Sequence, residues 1–397
     1  MLILLAFLLL INVFILASPW AVVLSGGGAR GAYEVGALKA VKQLGLNVRG
    51  VYGTSVGALN GAFFVQNDLT TLYKMWQNLS FASVMSLSPN FSTNTSYFAF
   101  KIVKYALING GFDVDPLYRL IKKFLHENEI RKSKIDFGLV TFDLSNFTPV
   151  EMYISQIPKG SLADFLMASA NYPLFQRWRI GKNVYIDGGV YNNAPVNMAL
   201  EKGFKKILLI DVSDIPIFLP HIPDGTFLKI VKPSAPLGNV LDFVPQKEKL
   251  WEKMGYLDTL KVFGKFVGKY YYIYPTSENL LISKMLSLSH DALEKVAKTI
   301  GVNVSNCSKD FAVYERIIPN MLKMIPSNSF ASLNLSMLEI TAKFLGINRL
   351  SAYTQKSLCE LISEATFPSQ NVSWFNFENS DSKVAKFVWE LCRLSIK

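Results

Sequence analysis

The chain has 397 residues, of which half are apolar, 13% are aromatic and 18% are charged, and its formal net charge is +11. This length allows one large domain and a smaller one, and the apolar content excludes disorder as a description of the whole chain. A basic chain favours an anionic partner, either nucleic acid or a membrane surface. Because the basic residues are spread out and interleaved with acids, an anionic membrane surface is favoured and no nucleic-acid partner is expected.

Residues 1–17 read MLILLAFLLLINVFILA and carry no charge. Their length lies between the core of a signal peptide and a membrane span of about 20 residues. No basic residues precede the apolar run, and Ile15 stands where a small residue is wanted before cleavage after Ala17, so an uncleaved anchor is slightly favoured over a cleaved signal. A buried helix of the folded domain is the remaining alternative. We expect a hydrophobic signal or anchor and a membrane-associated or exported protein.

The next elements alternate between strand and helix. The apolar run 20–24 enters a glycine turn and predicts a buried strand, and the apolar spacing from 33 to 44 predicts a helix that stops at Gly45. A second strand over 48–52 runs into another glycine turn, and a second helix follows from 58. Two such strand-turn-helix units imply a parallel sheet with right-handed crossovers.

Farther along the chain, the stretch 70–111 is aromatic and rich in Ser and Asn, and its weak periodicity favours a variable insertion or a lid. The later patterns predict helices over 115–125, 161–170 and 195–202 and strands over 136–142, 150–154, 184–186 and 207–212. Beyond 213 a Pro-rich connection leads into Lys-rich helical segments. We expect residues 214–284 to form a connecting region still packed on the core, and residues 285–397 to form a helical region of unknown role.

The three cysteines are Cys307, Cys359 and Cys392. They lie far apart, with no CxxC pair and no histidine at ligand spacing, so neither a metal site nor a disulfide scaffold is supported. Buried small apolar residues are the favoured interpretation, and one disulfide with one free thiol is the alternative.

A glycine-rich loop, Gly26-Gly27-Gly28-Ala29-Arg30-Gly31, lies between the first predicted strand and helix. Glycine lets backbone N–H groups point inward, and the helix N-terminus adds partial positive charge, so the loop is suited to an anion. The spacing also matches a dinucleotide-binding turn. That motif requires an acid at the end of the next strand, and residues 48–54 contain none.

The pentapeptide Gly53-Thr54-Ser55-Val56-Gly57 falls at the second strand-helix junction. In a Gly-x-Ser-x-Gly turn the serine sits on a sharp bend, and the residues two before and two after must be small. We therefore predict that Ser55 is a nucleophile.

A nucleophilic serine requires a base, and Asp187-Gly188-Gly189 lies at another predicted strand end. The histidines of the chain are His126, His221 and His290. The first lies within a predicted helix, and none has glycine-rich strand-end surroundings, which favours Asp187 as the base. Since His221 and His290 follow Asp187, a Ser-Asp-His triad of the α/β-hydrolase kind stays open. A turn-forming Asp-Gly pair is the structural alternative.

The motifs at 26–31, 53–57 and 187–189, in this order, resemble those of the patatin-like phospholipase family. The resemblance covers about residues 20–213. It implies a Ser55–Asp187 dyad, an oxyanion hole built by the loop 26–31 with Arg30 placing or supporting it, and hydrolysis of acyl esters without metal or cofactor. The later Gly255-Tyr256-Leu257-Asp258 resembles a helix that follows the catalytic core in bacterial members.

Together these features predict an α/β fold, a three-layer sandwich with a mostly parallel central sheet flanked by helices, and a mainly helical C-terminal region. The predicted function is a serine lipid acyl hydrolase acting on a membrane lipid or another acyl ester. An α/β-hydrolase-type esterase and a catalytically silent lipid-binding protein are the alternatives. The oligomeric state, the head group and the acyl position are not predicted.

Overall fold

The structure is a computed structural model that describes residues 18–86, 104–106, 108–368 and 379–394. The chain divides into two compact units, residues 1–262 and 263–397. The first unit contains the glycine-rich motifs, and its strands are β1 (Trp20–Leu24), β2 (Val48–Thr54), β3 (Asp136–Asp143), β4 (Thr148–Tyr153), β5 (Trp178–Ile180), β6 (Asn183–Asp187), β7 (Lys206–Ile210) and β8 (Phe227–Val231). Its α-helices are Gly31–Gln43, Val56–Val65, Leu69–Asn78, Phe81–Val84, Asp115–Phe124, Glu127–Lys132, Leu162–Ser169, Val196–Glu201 and Pro245–Val262, with 3₁₀ turns at Gly28–Arg30 and Gly188–Val190.

The predicted location of the protein is corrected by the structure. The prediction of a membrane-associated or exported protein rested on residues 1–17 as an uncleaved anchor or a cleaved signal, and the favoured anchor needs a helix of membrane-spanning length. In the part of the chain that the structure describes, no helix is both long and apolar enough to cross a bilayer. Residues 1–17, on which the prediction was based, lie outside that part. The location is therefore withdrawn as a prediction.

The strands form one mixed sheet in the order β5-β6-β3-β2-β1-β7-β8, with β4 paired to β3. Strands β3, β2, β1, β7 and β8 run parallel, whereas β4 and β6 run antiparallel to β3 and β5 antiparallel to β6. The central strand β1 is buried along its whole length, as expected for a parallel strand covered on both faces. Ala21 and Val23 pack in one cluster with the helix Val196–Glu201. The prediction of a mostly parallel sheet flanked by helices is confirmed.

The register of pairing with β3 brings the carboxyl ends of β2 and β6 together. Thr54, the last residue of β2, pairs with Val140 in the parallel direction. Asp187, the last residue of β6, pairs with the next residue of β3, Thr141, in the antiparallel direction. Because β4 occupies the other edge of this part of β3, β2 and β6 lie on the same edge and run toward each other. Their carboxyl ends therefore meet.

The helix Pro245–Val262 packs closely on the helix Gly31–Gln43. A Cβ on Gly36 would overlap the backbone carbonyl of Glu252, and a Cβ on Gly255 would overlap the backbone carbonyl of Tyr33. The Tyr33 hydroxyl also donates to the buried Asp258 carboxylate at 3.0 Å. Two backbones approach this closely only where neither has a side chain. The segment around Gly255, noted for its resemblance to a later helix of the family, thus packs directly on the helix that follows the glycine-rich loop.

The second unit is mainly helical around its own apolar core. It contains the two-stranded parallel sheet β9 (Tyr272–Ile273) and β10 (Ala352–Tyr353), the helices Leu280–Ser287, His290–Lys298, Lys309–Phe311, Ile318–Met324, Phe330–Phe344, Gln355–Glu364 and Asn379–Leu394, and a π-helical turn Ala312–Ile317. The side chains of Leu293, Leu358 and Phe387 lie in its core and are fully buried. A disulfide joins Cys359 to Cys392, and Cys307 is free. The favoured interpretation of the cysteines as unpaired was therefore wrong for two of the three.

Candidate active site

Ser55 lies on a strained turn at the end of β2. Its backbone has φ 57° and ψ −127°, a left-handed conformation that is rare for a residue with a side chain. The Ser55 N–H donates to Ser169 Oγ at 2.9 Å, and Ser169 Oγ donates to the Val140 carbonyl at 2.6 Å. The helix Val56–Val65 begins at the next residue. The turn thus holds the Ser55 side chain at a strand-helix junction, as the pentapeptide predicts.

The glycines that flank Ser55 allow three backbone segments to meet. A Cβ on Gly57 would overlap the Leu24 carbonyl at the end of β1, and a Cβ on Gly53 would overlap the backbone of Gly57. The ends of β1 and β2 and the start of the helix Val56–Val65 therefore contact one another directly. A residue larger than glycine at either position would displace the Ser55 turn.

Ser55 and Asp187 form a buried hydrogen-bonded pair. Ser55 Oγ donates to Asp187 Oδ2 at 2.6 Å, and the Gly189 N–H donates to Asp187 Oδ1 at 2.8 Å. The two residues are only 8% and 7% exposed. Each carboxylate oxygen therefore has one donor, and one of the two donors is the hydroxyl of Ser55. The pair forms because β2 and β6 end side by side on β3.

Burial changes the proton affinity of this carboxyl group. Removal from water raises the pKa of Asp187 from 3.8 to about 6, although the hydrogen bonds from Ser55 and the Gly189 N–H lower it. A carboxylate with a pKa of about 6 is a better proton acceptor near neutral pH than an ordinary aspartate. It is also still ionised at pH 7, so it can accept a proton from Ser55.

The glycine-rich loop lies beside this pair and has two free donors. The Gly26 N–H donates to the Asn193 carbonyl at 3.0 Å, and the Gly31 N–H is bonded within the 3₁₀ turn. Among the described residues, no acceptor pairs with the N–H groups of Gly27 and Gly28. Gly28 has φ 56°, and a Cβ on it would overlap the Val240 carbonyl. Of the loop glycines predicted to build an oxyanion hole, Gly27 and Gly28 therefore have donors available, whereas Gly26 and Gly31 do not.

Arg30 binds the surrounding loops rather than pointing freely into the site. It is 4% exposed, and its guanidinium donates to the Gly238 carbonyl at 2.9 and 2.7 Å and to the Val212 carbonyl at 3.4 Å. It also forms an ion pair with the exposed Asp214 carboxylate. The guanidinium thus joins the glycine loop to the segments at 212–214 and 238.

A cavity of about 820 Å³ opens above the pair. Its polar end contains Ser55, Asp187 and the loop glycines, and the other walls are mainly apolar. These walls include Leu59, Phe63, Leu72, Trp76, Leu120 and Phe175. The aromatic segment that the sequence identified as an insertion or lid supplies part of the lining; residues 87–103 and 107 of that segment lie outside the described residues. The space suits a long apolar group with its polar end at Ser55.

The histidines of the chain lie elsewhere. His126 is exposed and immediately precedes the helix Glu127–Lys132, rather than lying inside a helix as expected. His221 is exposed, and His290 belongs to the second unit, where its Nε2 lies 3.0 Å from the Cys307 carbonyl oxygen. The cavity-lining residues that the structure describes include no histidine. In the same described ranges, no three His, Cys, Asp or Glu side chains group as a metal site requires.

Sequence reasoning missed a polar network under the cavity wall. Asn60 Nδ2 donates to the Gly31 carbonyl at 3.0 Å and to Glu34 Oε2 at 2.8 Å, and Trp76 Nε1 donates to Asn60 Oδ1 at 3.0 Å. Burial raises the pKa of Glu34 well above its usual value. The network joins the helix after the glycine loop, the helix after Ser55 and the helix Leu69–Asn78. An asparagine within an otherwise apolar helical pattern was the available signal.

Comparison with known proteins finds a family match within the first unit. Residues 22–200 match the family model described as patatin-like phospholipase. The chain is 26% identical over 197 residues to lysophospholipase NTE1 of Mycosarcoma maydis, and 28% identical over 200 residues to patatin-like phospholipase domain-containing protein 7 of Rattus norvegicus. These matches cover 49% and 48% of this chain but only 10% and 13% of those proteins. The chain thus spans about a tenth of the length of these relatives.

Two solved structures align with most of the chain at low similarity. VipD from Legionella pneumophila gives a TM-score of 0.42 at 14% identity, covering 94% of this chain and 90% of that one. ExoU from Pseudomonas aeruginosa, solved with SpcU, gives a TM-score of 0.33 at 13% identity, covering 93% and 76%. At these scores the alignments add no support to the fold described above.

Proposed function

Residues 22–200 belong to the patatin-like phospholipase family, and on that basis we propose that this chain is a lipid hydrolase that cleaves carboxylic esters with Ser55 as nucleophile and Asp187 as base. One observation carries the proposal. The Ser55 hydroxyl donates to a buried carboxylate with a raised pKa at 2.6 Å, at the polar end of an apolar cavity. A serine is a useful nucleophile only with a base in hydrogen-bond contact.

The proposed reaction begins with acylation. Asp187 takes the proton of Ser55 as Oγ attacks the ester carbonyl carbon, and the carbonyl oxygen becomes an oxyanion. The free N–H groups of Gly27 and Gly28 are the proposed donors to that oxyanion, each typically worth a hundredfold or more in rate. When the tetrahedral intermediate collapses, the carbon–oxygen bond to the alcohol breaks, and the alcohol leaves with the proton held by Asp187.

Deacylation reverses these roles with water as the nucleophile. Asp187 takes a proton from the water as its oxygen attacks the acyl carbon, and a second oxyanion forms beside Gly27 and Gly28. Collapse breaks the bond to Ser55 Oγ, which recovers its proton from Asp187. The free acid is released, and the Ser55–Asp187 pair returns to its starting state.

Substitution of Ser55 tests the proposal. With purified protein and a panel of phospholipids, lysophospholipids and neutral lipids, we expect fatty acid release from at least one class by the unsubstituted protein, and none above background by Ser55→Ala. A fluorophosphonate probe should label the unsubstituted protein and not the variant. Ser86→Ala is the matched control, because Ser86 Oγ also donates to an aspartate, Asp113, at 2.8 Å but lies in another part of the unit. Equal release by both variants and the unsubstituted protein would contradict the proposal.

The pH dependence of hydrolysis tests the base. Because Asp187 must be ionised to accept a proton and its pKa is raised to about 6, kcat/KM for an uncharged ester should be level above pH 7. It should fall about tenfold per pH unit well below pH 6. A pH–rate profile of the intact protein measures this. A profile that stays level down to pH 4 would contradict the assignment.

A further inference from the structure

Two motif glycines from distant segments make room for one side chain, that of Asn193. A Cβ on Gly26 would overlap Asn193 Oδ1, and a Cβ on Gly189 would lie 2.8 Å from the same atom. Side-chain Cβ atoms do not come that close to an oxygen. The Asn193 amide is thus the nearest group to a Cβ at both positions, with Ser55 Cβ next at Gly26 and Asp187 Oδ1 next at Gly189.

The same residue joins these segments by two hydrogen bonds. The Gly26 N–H donates to the Asn193 carbonyl at 3.0 Å, and Asn193 Nδ2 donates to the Gly26 carbonyl at 3.2 Å. Gly26 also lies against the nucleophile, since a Cβ on it would be 3.2 Å from Ser55 Cβ. The free donors of Gly27 and Gly28 follow directly in the chain. Asn193 therefore lies where the proposed oxyanion donors and the Ser55–Asp187 pair come together.

The end of the glycine loop that lies away from Asn193 is held by other hydrogen bonds, made by Ala29 and Arg30. The Ala29 N–H donates to the Val240 carbonyl at 2.7 Å, and the Arg30 guanidinium binds the carbonyls of Val212 and Gly238. None of these bonds reaches Asp187 or its neighbours. A run of three glycines is conformationally free unless both of its ends are held. On the dyad side, Gly26 is held by its two hydrogen bonds with Asn193, and Gly31, after the three glycines, is held by Asn60 of the helix that follows Ser55.

We propose that Asn193 is a positioning residue that fixes the Gly27 and Gly28 N–H groups relative to Ser55 and Asp187; this inference rests on the proposed function. Its amide holds the first glycine of the loop in place, and its volume sets the separation of the two glycine-rich segments. Hydrogen bonds to an oxyanion act only when the donors are placed before the reaction, and a misplacement of about 1 Å can lower the rate about a hundredfold.

The turn that carries Asn193 has its own tethers. Asn192 Nδ2 donates to Glu151 Oε1 at 2.7 Å, and Asn197 Nδ2 donates to Glu151 Oε2 at 2.6 Å. These bonds fix the segment on β4 without using Asn193. The fold of the segment should therefore survive truncation of Asn193.

Truncation of Asn193 tests whether this side chain positions the loop donors or only stabilises the fold. For Asn193→Ala we expect labelling by a fluorophosphonate and kcat for an ester to fall about 10- to 100-fold, with KM within about threefold of its original value. Asn183→Ala is the control, because it removes the same kind of side chain at the start of β6, where the amide donates to Asp143 at 2.7 Å, and should label at the original rate. Asn193→Asp is the second variant. It keeps the size of the side chain, loses the Nδ2 donor and should be slow as well.

A double-mutant cycle tests whether a side chain at position 26 and the Asn193 amide compete for the same space. Gly26→Ala should slow labelling strongly when Asn193 is present, because the new methyl group meets the Asn193 amide, and much less in the Asn193→Ala background. Labelling of Asn193→Ala and Asn193→Asp at the original rate, or additive effects in the cycle, would overturn the inference. If the unsubstituted protein itself does not label at Ser55, the proposed function fails instead. Thermal unfolding of each variant shows whether a slow variant is folded.

Discussion

Asp187→Asn is expected to reduce ester hydrolysis by at least about a thousandfold while the protein stays folded. Asparagine has the size of aspartate and can still accept the Gly189 N–H, but it cannot take a proton from Ser55. Loss of a general base typically costs 10²–10⁴-fold in rate, and loss of the histidine base of a serine protease about 10⁶-fold. Initial rates of hydrolysis with the purified variant measure the loss.

The matched control is a variant in which His126, His221 and His290 are all replaced by alanine. It should hydrolyse the same ester at close to the original rate, because none of the three lines the described cavity. The opposite pair of results, an active Asp187→Asn and an inactive histidine variant, would contradict the dyad and favour a histidine triad.

The same substitution, Asp187→Asn, should increase the stability of the folded protein at neutral pH, although it lowers the rate of hydrolysis. Because the pKa of Asp187 is raised from 3.8 in the unfolded chain to about 6 in the folded protein, folding favours its protonated form. The stability that it contributes is fully present below about pH 4 and is lost as the pH rises through 6. Relative to the unsubstituted protein, Asp187→Asn should therefore gain up to about 3 kcal/mol in free energy of unfolding between pH 4 and pH 7. Urea unfolding at both values measures this difference.

Gly36→Val is expected to destabilise the first unit by about 4 kcal/mol or more. A valine here would place its Cβ on the Glu252 carbonyl of the opposing helix, and backbone atoms cannot move aside as a flexible side chain can. Overpacking usually costs 1–3 kcal/mol and more where nothing can yield. The helix Pro245–Val262 would have to separate from the helix Gly31–Gln43, with loss of the Tyr33–Asp258 hydrogen bond.

The control for this variant is Lys42→Val in the same helix. Lys42 is exposed and makes one side-chain hydrogen bond, to Asn67. Lys42→Val introduces the lower helix propensity of valine, a cost of about 0.5 kcal/mol, without any overlap with the opposing helix. Chemical denaturation of both variants, followed by a probe in the first unit, measures the difference. Similar decreases in the free energy of unfolding of the two variants would contradict the close approach of the two helices at Gly36.

The match to the patatin-like phospholipase family model and the mostly parallel sheet could be predicted because the sequence signals for both are local. A buried apolar strand ending in glycine, followed at once by helical spacing, is readable within about 25 residues, and it occurs twice before residue 65. The placement of Ser55 at a strand-helix turn follows from the same short pattern.

The features that the sequence did not reveal depend on distant pairings. Nothing in the short strand before Asp187 indicates that it runs antiparallel to β3, yet this direction brings its end to Ser55. Asn193 looks like an ordinary turn asparagine until Gly26, 167 residues away, is placed against it. The Cys359–Cys392 pairing likewise depends on the packing of two helices.

The meeting of β2 and β6 on neighbouring residues of β3 has a consequence for how the protein can diversify. The Ser55–Asp187 pair is held by the pairing of Thr54 and Asp187 with Val140 and Thr141 of a single strand. Much of the apolar cavity wall comes instead from the intervening helices Leu69–Asn78 and Asp115–Phe124. In the proposed function, bond cleavage and the choice of acyl chain would therefore reside in separable parts of the chain. For the proposed hydrolase, we expect mutations or grafts in the wall to broaden or narrow the range of lipids while the pair stays in register.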